Sequence, residues 1–437
     1  MSNFVKRAAF GLLCLVTVSV ASAQEAISIT SGSGTDSRVT IAVPPFAASD
    51  PALQAAAKEM AEVVAYDLEF TDLFKILPTI EYPQTFTGTT TDVASLDLNS
   101  WTASKAQHLV YGVVTAEGAN IVAQLRLFDL VSKDQVFGQE LRVPRQYQRL
   151  AAHRFSEEII RYIEAEPGSG TSEIAYSVGE PGKKEIYVSD YDGANARQIT
   201  QHGSVSIKPK LSPDGNKIAY LSFKDSYPFL YVFDRASGKS TLISKEVGAN
   251  LSPAWSPDGS KLAMTLSKDG NTEIYTKSAT GGNPVRLTKN RDGDTSPAFS
   301  PDGSRIAFVS DRAGSPQIYI MPASGGEGTR LSFQGGSSYD PAWSPDGRFI
   351  AYSVERSGDG FEIYVMGADG SSPTRLTNSQ GSNESPSWSP DGRHVMFMST
   401  RSGRGELWTV NPTTGTERPV PNLRGRAEGP NWGPRRK

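Results

Sequence analysis

The residues best suited to acid–base or metal chemistry are four histidines, His108, His153, His202 and His394. None stands three or four positions from another, so no helix offers two imidazoles to one ion, and zinc-type Cys/His spacing is absent. Cys14, the only cysteine, lies in the N-terminal apolar run, which excludes thiol chemistry and disulfides from the rest of the chain. A hydrolase of the α/β type needs Gly-x-Ser-x-Gly to hold its nucleophile on a sharp elbow, and that pentapeptide does not occur. No catalytic residue, cofactor or metal ion is expected.

Carboxylates do recur at a fixed spacing. Asp214, Asp258, Asp302, Asp346 and Asp391 each sit in a Ser-Pro-Asp-Gly tetrapeptide, at intervals of 44, 44, 44 and 45 residues. A ring of carboxylates could hold a cation. The flanking proline and glycine are those a type I turn requires, however, and aspartate bonds to nearby backbone amides in such turns. The expected role is therefore structural. The arginines of Arg286–Thr288, Arg330–Ser332 and Arg375–Thr377 recur once per repeat and read as contacts between strands, not as a basic binding patch.

The elements that must carry these residues follow from the period, which is that of a four-stranded propeller blade. Each repeat holds a first strand ending on an apolar or aromatic residue (Leu211, Trp255, Phe299, Trp343, Trp388, Trp432), then the turn. A buried triplet follows, such as Ile218-Ala219-Tyr220, then an apolar–aromatic pair such as Ile274-Tyr275, then Arg-Leu-Thr. Residues 172 to 200 supply strands two, three and four of a blade, and Glu428 to Trp432 supply a lone first strand. Joined, they close a ring of six blades over residues 172 to 437, so no open repeat is left at the ends.

Residues 24 to 164 lack the repeat and read as a small α/β domain. Val39 to Val43 reads as a strand, Pro51 to Phe70 as an alanine-rich helix, residues 109 to 143 as a three-stranded meander and Gln146 to Ile163 as a second helix. Residues 165 to 171 form a linker, and residues 24 to 38 are expected to be mobile. The N-terminus reads as a signal peptide: Lys6 and Arg7, a mainly apolar stretch of 13 residues from Ala8 to Val20, and Ala21-Ser22-Ala23 as the cleavage site, which places the protein in the periplasm. Leu13 before Cys14 does not suit lipidation. With the leader gone the net charge passes from −3 to −5 and nothing spans a membrane. The acidic balance speaks against nucleic-acid binding.

Together these features resemble the TolB family, the propeller proteins of the Tol–Pal envelope system. The resemblance rests on Val43-Pro44-Pro45-Phe46, the helix from Arg149 to Ile159, Ile174-Ala175-Tyr176 and the run Val188 to Gly193, combined with the leader and six blades. It implies a monomeric, non-enzymatic hub that binds a Pal-like lipoprotein at the propeller. The mature N-terminal segment, with Gln24, Glu25, Ile27 and Ile29, would engage a TolA-like inner-membrane protein. The implied role is in outer-membrane integrity and its invagination at division. The alternative is a periplasmic propeller hydrolase or sugar-binding protein.

The loops from each fourth strand into the next first strand vary where the Ser-Pro-Asp-Gly turns do not, and loops on a rigid scaffold often carry function. Asn250, Asp294, Thr295, Tyr339, Asp340, Asn383 and Glu384 are accordingly the expected partner-binding residues on that face.

Overall fold

The computed structural model describes residues 37–86, 90–356, 360–378, 381–423 and 425–436. The expected leader and the candidate contacts Gln24, Glu25, Ile27 and Ile29 lie outside the described residues.

The N-terminal domain is a mixed sheet with its two long helices on one face. Strands β1 (Val39–Ala42), β2 (Ala47–Ala48), β3 (Phe74–Ile76), β4 (His108–Glu117), β5 (Asn120–Asp129) and β6 (Asp134–Pro144) run in the order β3-β1-β4-β5-β6, with β2 paired to β4. The β3–β1–β4 pairings are parallel and the rest of the main path is an antiparallel meander. Strand alternation sorts β4 between two cores. Val110 and Val114 face helices α1 (Gln54–Phe70) and α3 (Gln148–Glu164), while Leu109, Tyr111 and Val113 face Trp101 on the short helix α2 (Leu98–Trp101). Gly112 lies in the first row, where a Cβ would stand 2.6 Å from the Phe46 ring. Its lack of a side chain lets Phe46 close over the sheet.

Beyond α3 the chain forms six four-stranded antiparallel blades. Blade 1 takes its first strand, Ala427–Arg435, from the C-terminus and the other three, Ser172–Glu180, Lys183–Asp190 and Arg197–Gln198, from the start of the array. The first strands of blades 2 to 6 are Ser206–Leu211, Asn250–Trp255, Asp294–Phe299, Ser338–Trp343 and Asn383–Trp388. Their terminal tryptophans stitch neighbouring blades together. The indole nitrogens of Trp255, Trp343 and Trp388 donate to the carbonyls of Lys210, Ala298 and Ala342, one blade back, at 2.9, 3.1 and 3.1 Å. Trp432 closes the ring by donating from its indole to Ser172 Oγ at 2.8 Å.

The turn aspartates bond within their own turns. Ser256 Oγ donates to Asp258 at 2.5 Å, and the Ser260 amide donates to the same carboxylate at 3.0 Å. The fourth strands are shorter than the Arg-Leu-Thr pattern predicts and end at Arg286, Arg330 and Arg375. After each arginine a hydroxyl turns inward: Thr288 and Thr377 donate to Glu273 and Glu362 on the third strands. Arg286 and Arg375 bond to the same two glutamates, at 2.8 and 2.9 Å, so these arginines act between strands.

Candidate functional site

The loops entering the first strands form the mouth of the central channel, and a backbone feature absent from the loop sequences organises it. Lys208, Ser252, Ser296, Asp340, Ser385 and Gly429 all have positive φ, between 50° and 57°. Each precedes a proline, and each sits at a register shift in the pairing of first and second strands. Such a bulge adds one residue to the inner strand and bends it at the rim. The six bulge residues, Lys210 and the prolines of the other five bulges surround a recess of about 510 Å³ that includes open solvent. Lys208 Nζ reaches across it to Asp340 Oδ1 at 3.6 Å, and Ser385 Oγ donates to Asp340 at 3.4 Å.

Three of the expected contact residues are buried in this geometry. Asn250, Asp294 and Asn383 open their first strands with side chains 0 % exposed, each bonded to its own loop or to a neighbouring loop or strand. Asn250 accepts from Ser244 Oγ at 2.7 Å and the Glu246 amide at 3.0 Å, and donates to the Glu246 and Gly248 carbonyls. Asp294 pairs with Arg312 at 3.0 Å, and Asn383 bonds to Glu362 and Arg401. Variable loop residues that are polar and buried serve the scaffold. Thr295, Tyr339, Asp340 and Glu384 are partly exposed at the mouth. Tyr339 packs edge-on against Phe361, with ring centroids 5.6 Å apart.

Sequence reading missed the apolar side chains on the same face. The loops between second and third strands lie here too, tied to the neighbouring entry loops by bonds such as Phe223 N to Val205 O at 2.9 Å and Ser267 N to Ala249 O at 3.2 Å. Of the six exposed large apolar side chains among the described propeller residues, four stand on these loops: Phe223, Tyr227, Val247 and Phe333, at 36, 66, 85 and 67 % exposure. Only their place in a loop of apolar type hinted at this, since adjacency on one face requires the fold.

The N-terminal domain packs on the opposite face. Its α1 ends in Phe70, which stacks on His394 at 4.1 Å and meets Tyr191 and Trp432 in a shared aromatic core. Asp72 pairs with Arg418 at 2.6 Å and accepts from Asn411 at 2.9 Å, both on the last blade. Buried behind this core, Asp67 accepts from His153 Nδ1 at 2.8 Å, from Tyr191 at 2.6 Å and from Ser156. Burial opposes charge on His153, but the attraction and hydrogen bond of Asp67, with Asp192 and Asp190 beyond, raise its pKa. His153, Asp190 and Asp192 offer three ligand atoms within 4.8 Å of one another. Both aspartates are engaged by guanidiniums, Asp192 by Arg149 and Asp190 by Arg436 at 2.8 Å, so the group is organised as a charged joint between domains. Arg149, His153 and the run Asp190 to Gly193, singled out in the sequence, meet here.

Residues 162–436 match the family model of the TolB beta propeller domain and residues 25–136 that of the TolB amino-terminal domain. The chain belongs to the TolB family. Among curated relatives, the Tol-Pal system protein TolB of Desulfosudis oleivorans is 36 % identical over 194 residues, 44 % of either chain. That of Ruegeria sp. strain TM1040 is 34 % identical over 235 residues, 52 % of either chain. The chain thus matches about half the length of these curated TolB relatives. The crystal structure of TolB from Acinetobacter baumannii is similar over far more: TM-score 0.80, 26 % identity, 91 % of this chain and 97 % of that one. The likeness to that TolB spans both domains.

Proposed function

We propose that this chain is an exported, periplasmic component of a Tol–Pal system that acts by binding partner proteins and not by catalysis. Its propeller mouth docks a Pal-like lipoprotein, and the mature N-terminal segment engages a TolA-like inner-membrane protein. The linked role is outer-membrane integrity and invagination at division. The names of the curated relatives support the system. The docking face is supported by one observation above the rest. Phe223, Tyr227, Val247 and Phe333 are exposed on loops of the propeller face that carries the recess and that the N-terminal domain leaves free. Exposed apolar side chains gathered round a concave site mark a protein interface, and aromatic anchors carry most of the energy of such contacts.

Titration calorimetry with the purified lipoprotein tests this. Tyr227→Ala, Phe333→Ala and Tyr339→Ala should each weaken binding by roughly 1–3 kcal/mol with little change in folding. Asp302→Ala, in a turn on the opposite face, should leave affinity intact. Unchanged dissociation constants for all three mouth variants, with a weakened control, would place the partner on the other face.

A further inference from the structure

Below the ring of bulges lies a second ring, two residues further along each first strand. It comprises Lys210, Ala254, Ala298, Ala342, Ser387 and Asn431, which line the continuation of the channel. Lys210 is its only charged member and lines the recess above as well. The walls of recess and channel carry two lysines against one aspartate. Asp340 is taken by Lys208, and among the described residues Lys210 takes part in no ion pair. Of the other ring members, Ala254, Ala298 and Ala342 offer no side-chain acceptor, while Asn431 Oδ1 accepts from the Leu211 amide at 2.7 Å and Ser387 Oγ from the Trp432 amide at 2.9 Å. The hydroxyls of Ser252 and Ser296, at the recess, are without a protein partner among the described residues.

Lys210 is partly buried in the channel wall, and a partly desolvated ammonium with no ion-pair partner of its own favours a bound anion. Burial pushes the Lys210 ammonium down to about 8, with Asp340 pulling it back and Lys208 lowering it further. It remains mostly charged at neutral pH. A carboxylate brings two acceptor oxygens, one for the ammonium and one for the serine hydroxyls that line the same recess.

We infer that the channel mouth is a carboxylate site, in which Lys210 with Ser252 and Ser296 receives an acidic side chain from the docked partner protein. The partner half of this rests on the docking face proposed above; the site itself does not.

Two measurements on the full mature chain separate these halves. In the first, lysine methylene carbons are labelled and sodium acetate is titrated against sodium chloride at constant ionic strength. The Lys210 resonance, assigned by its loss in Lys210→Gln, should shift saturably with acetate. The Ser252→Ala/Ser296→Ala double variant should weaken that response several-fold. A response no different from that of the surface lysines overturns the site. In the second, calorimetry with the lipoprotein should show affinity falling about tenfold in Lys210→Gln, whose melting temperature should not drop. An acetate response with unchanged lipoprotein affinity makes the ligand a free small carboxylate and overturns the partner assignment. If the lipoprotein binds neither form, the docking face falls while the acetate titration still decides the site.

Discussion

His394 permits a quantitative test of how the two domains are joined. Its ring is 1 % exposed, stacked on Phe70, and neither ring nitrogen has a hydrogen-bond partner among the described residues. Burial drives its pKa down to about 4; Asp391 and Asp72 pull it back in part, and Arg418 and Arg393 lower it further. The folded protein therefore keeps this imidazole neutral while the unfolded chain protonates it below about 6.5. Because the folded value is depressed, its contribution is fully present above 6.5 and is lost as pH falls toward 4. With those two values, the loss at pH 4.5 amounts to about 2–3 kcal/mol at 25 °C. Replacing the ring by a non-titrating one removes it. His394→Phe keeps the stack on Phe70, and urea denaturation of parent and variant at pH 7.5, 6.5, 5.5 and 4.5 reads the difference. All other titrating groups are common to both proteins, so the parent should lose about 2–3 kcal/mol more than the variant between pH 7.5 and 4.5. Parallel curves would show that His394 is solvated or hydrogen-bonded in solution and that the joint does not close over it.

Three further outcomes are expected. Asp67→Asn, which leaves His153 buried without its carboxylate, should cost about 3–5 kcal/mol near pH 6. The pKa of His153 is raised, so this contribution is full below the ordinary histidine range and fades as pH rises through the folded value; the gap between parent and variant, measured by urea unfolding at pH 6 and pH 9, should narrow. Deleting residues 428–437 strips the first strand from blade 1 and removes Trp432, worth roughly 3–5 kcal/mol by itself, and exposes a sheet edge; an unchanged melting midpoint in a protein that stays monomeric would refute the closure argument. Mature protein should begin at Gln24 and be recovered in osmotic-shock fluid, whereas an acylated residue 14 in N-terminal sequencing would overturn both cleavage and localisation.

Much of the fold was legible because its signals are local. A turn needs proline and glycine at set positions, so the Ser-Pro-Asp-Gly period counted the blades. The missing first strand at residue 172 and the spare one at Glu428 implied a closed ring before any contact was known. The extents of α1 and α3 followed from helical spacing in the same way. What escaped depends on which side chains meet. Asn250, Asp294 and Asn383 looked like surface loop residues, yet they are buried, because the polar groups of a tight loop must be satisfied from within it. The left-handed residue before each rim proline could not be seen, since a bulge arises from the pairing of two strands and not from either alone. Which propeller face the N-terminal domain covers was decided by Phe70, Asp72 and His153 meeting His394, Arg418 and Tyr191, 38 to 346 positions away in the chain. That choice, made by tertiary packing, leaves Tyr227, Val247 and Phe333 free on the face of a recess whose existence the sequence implied but whose chemistry, with Lys210 the one charge in a ring of small neutral side chains, only the closed ring assembles.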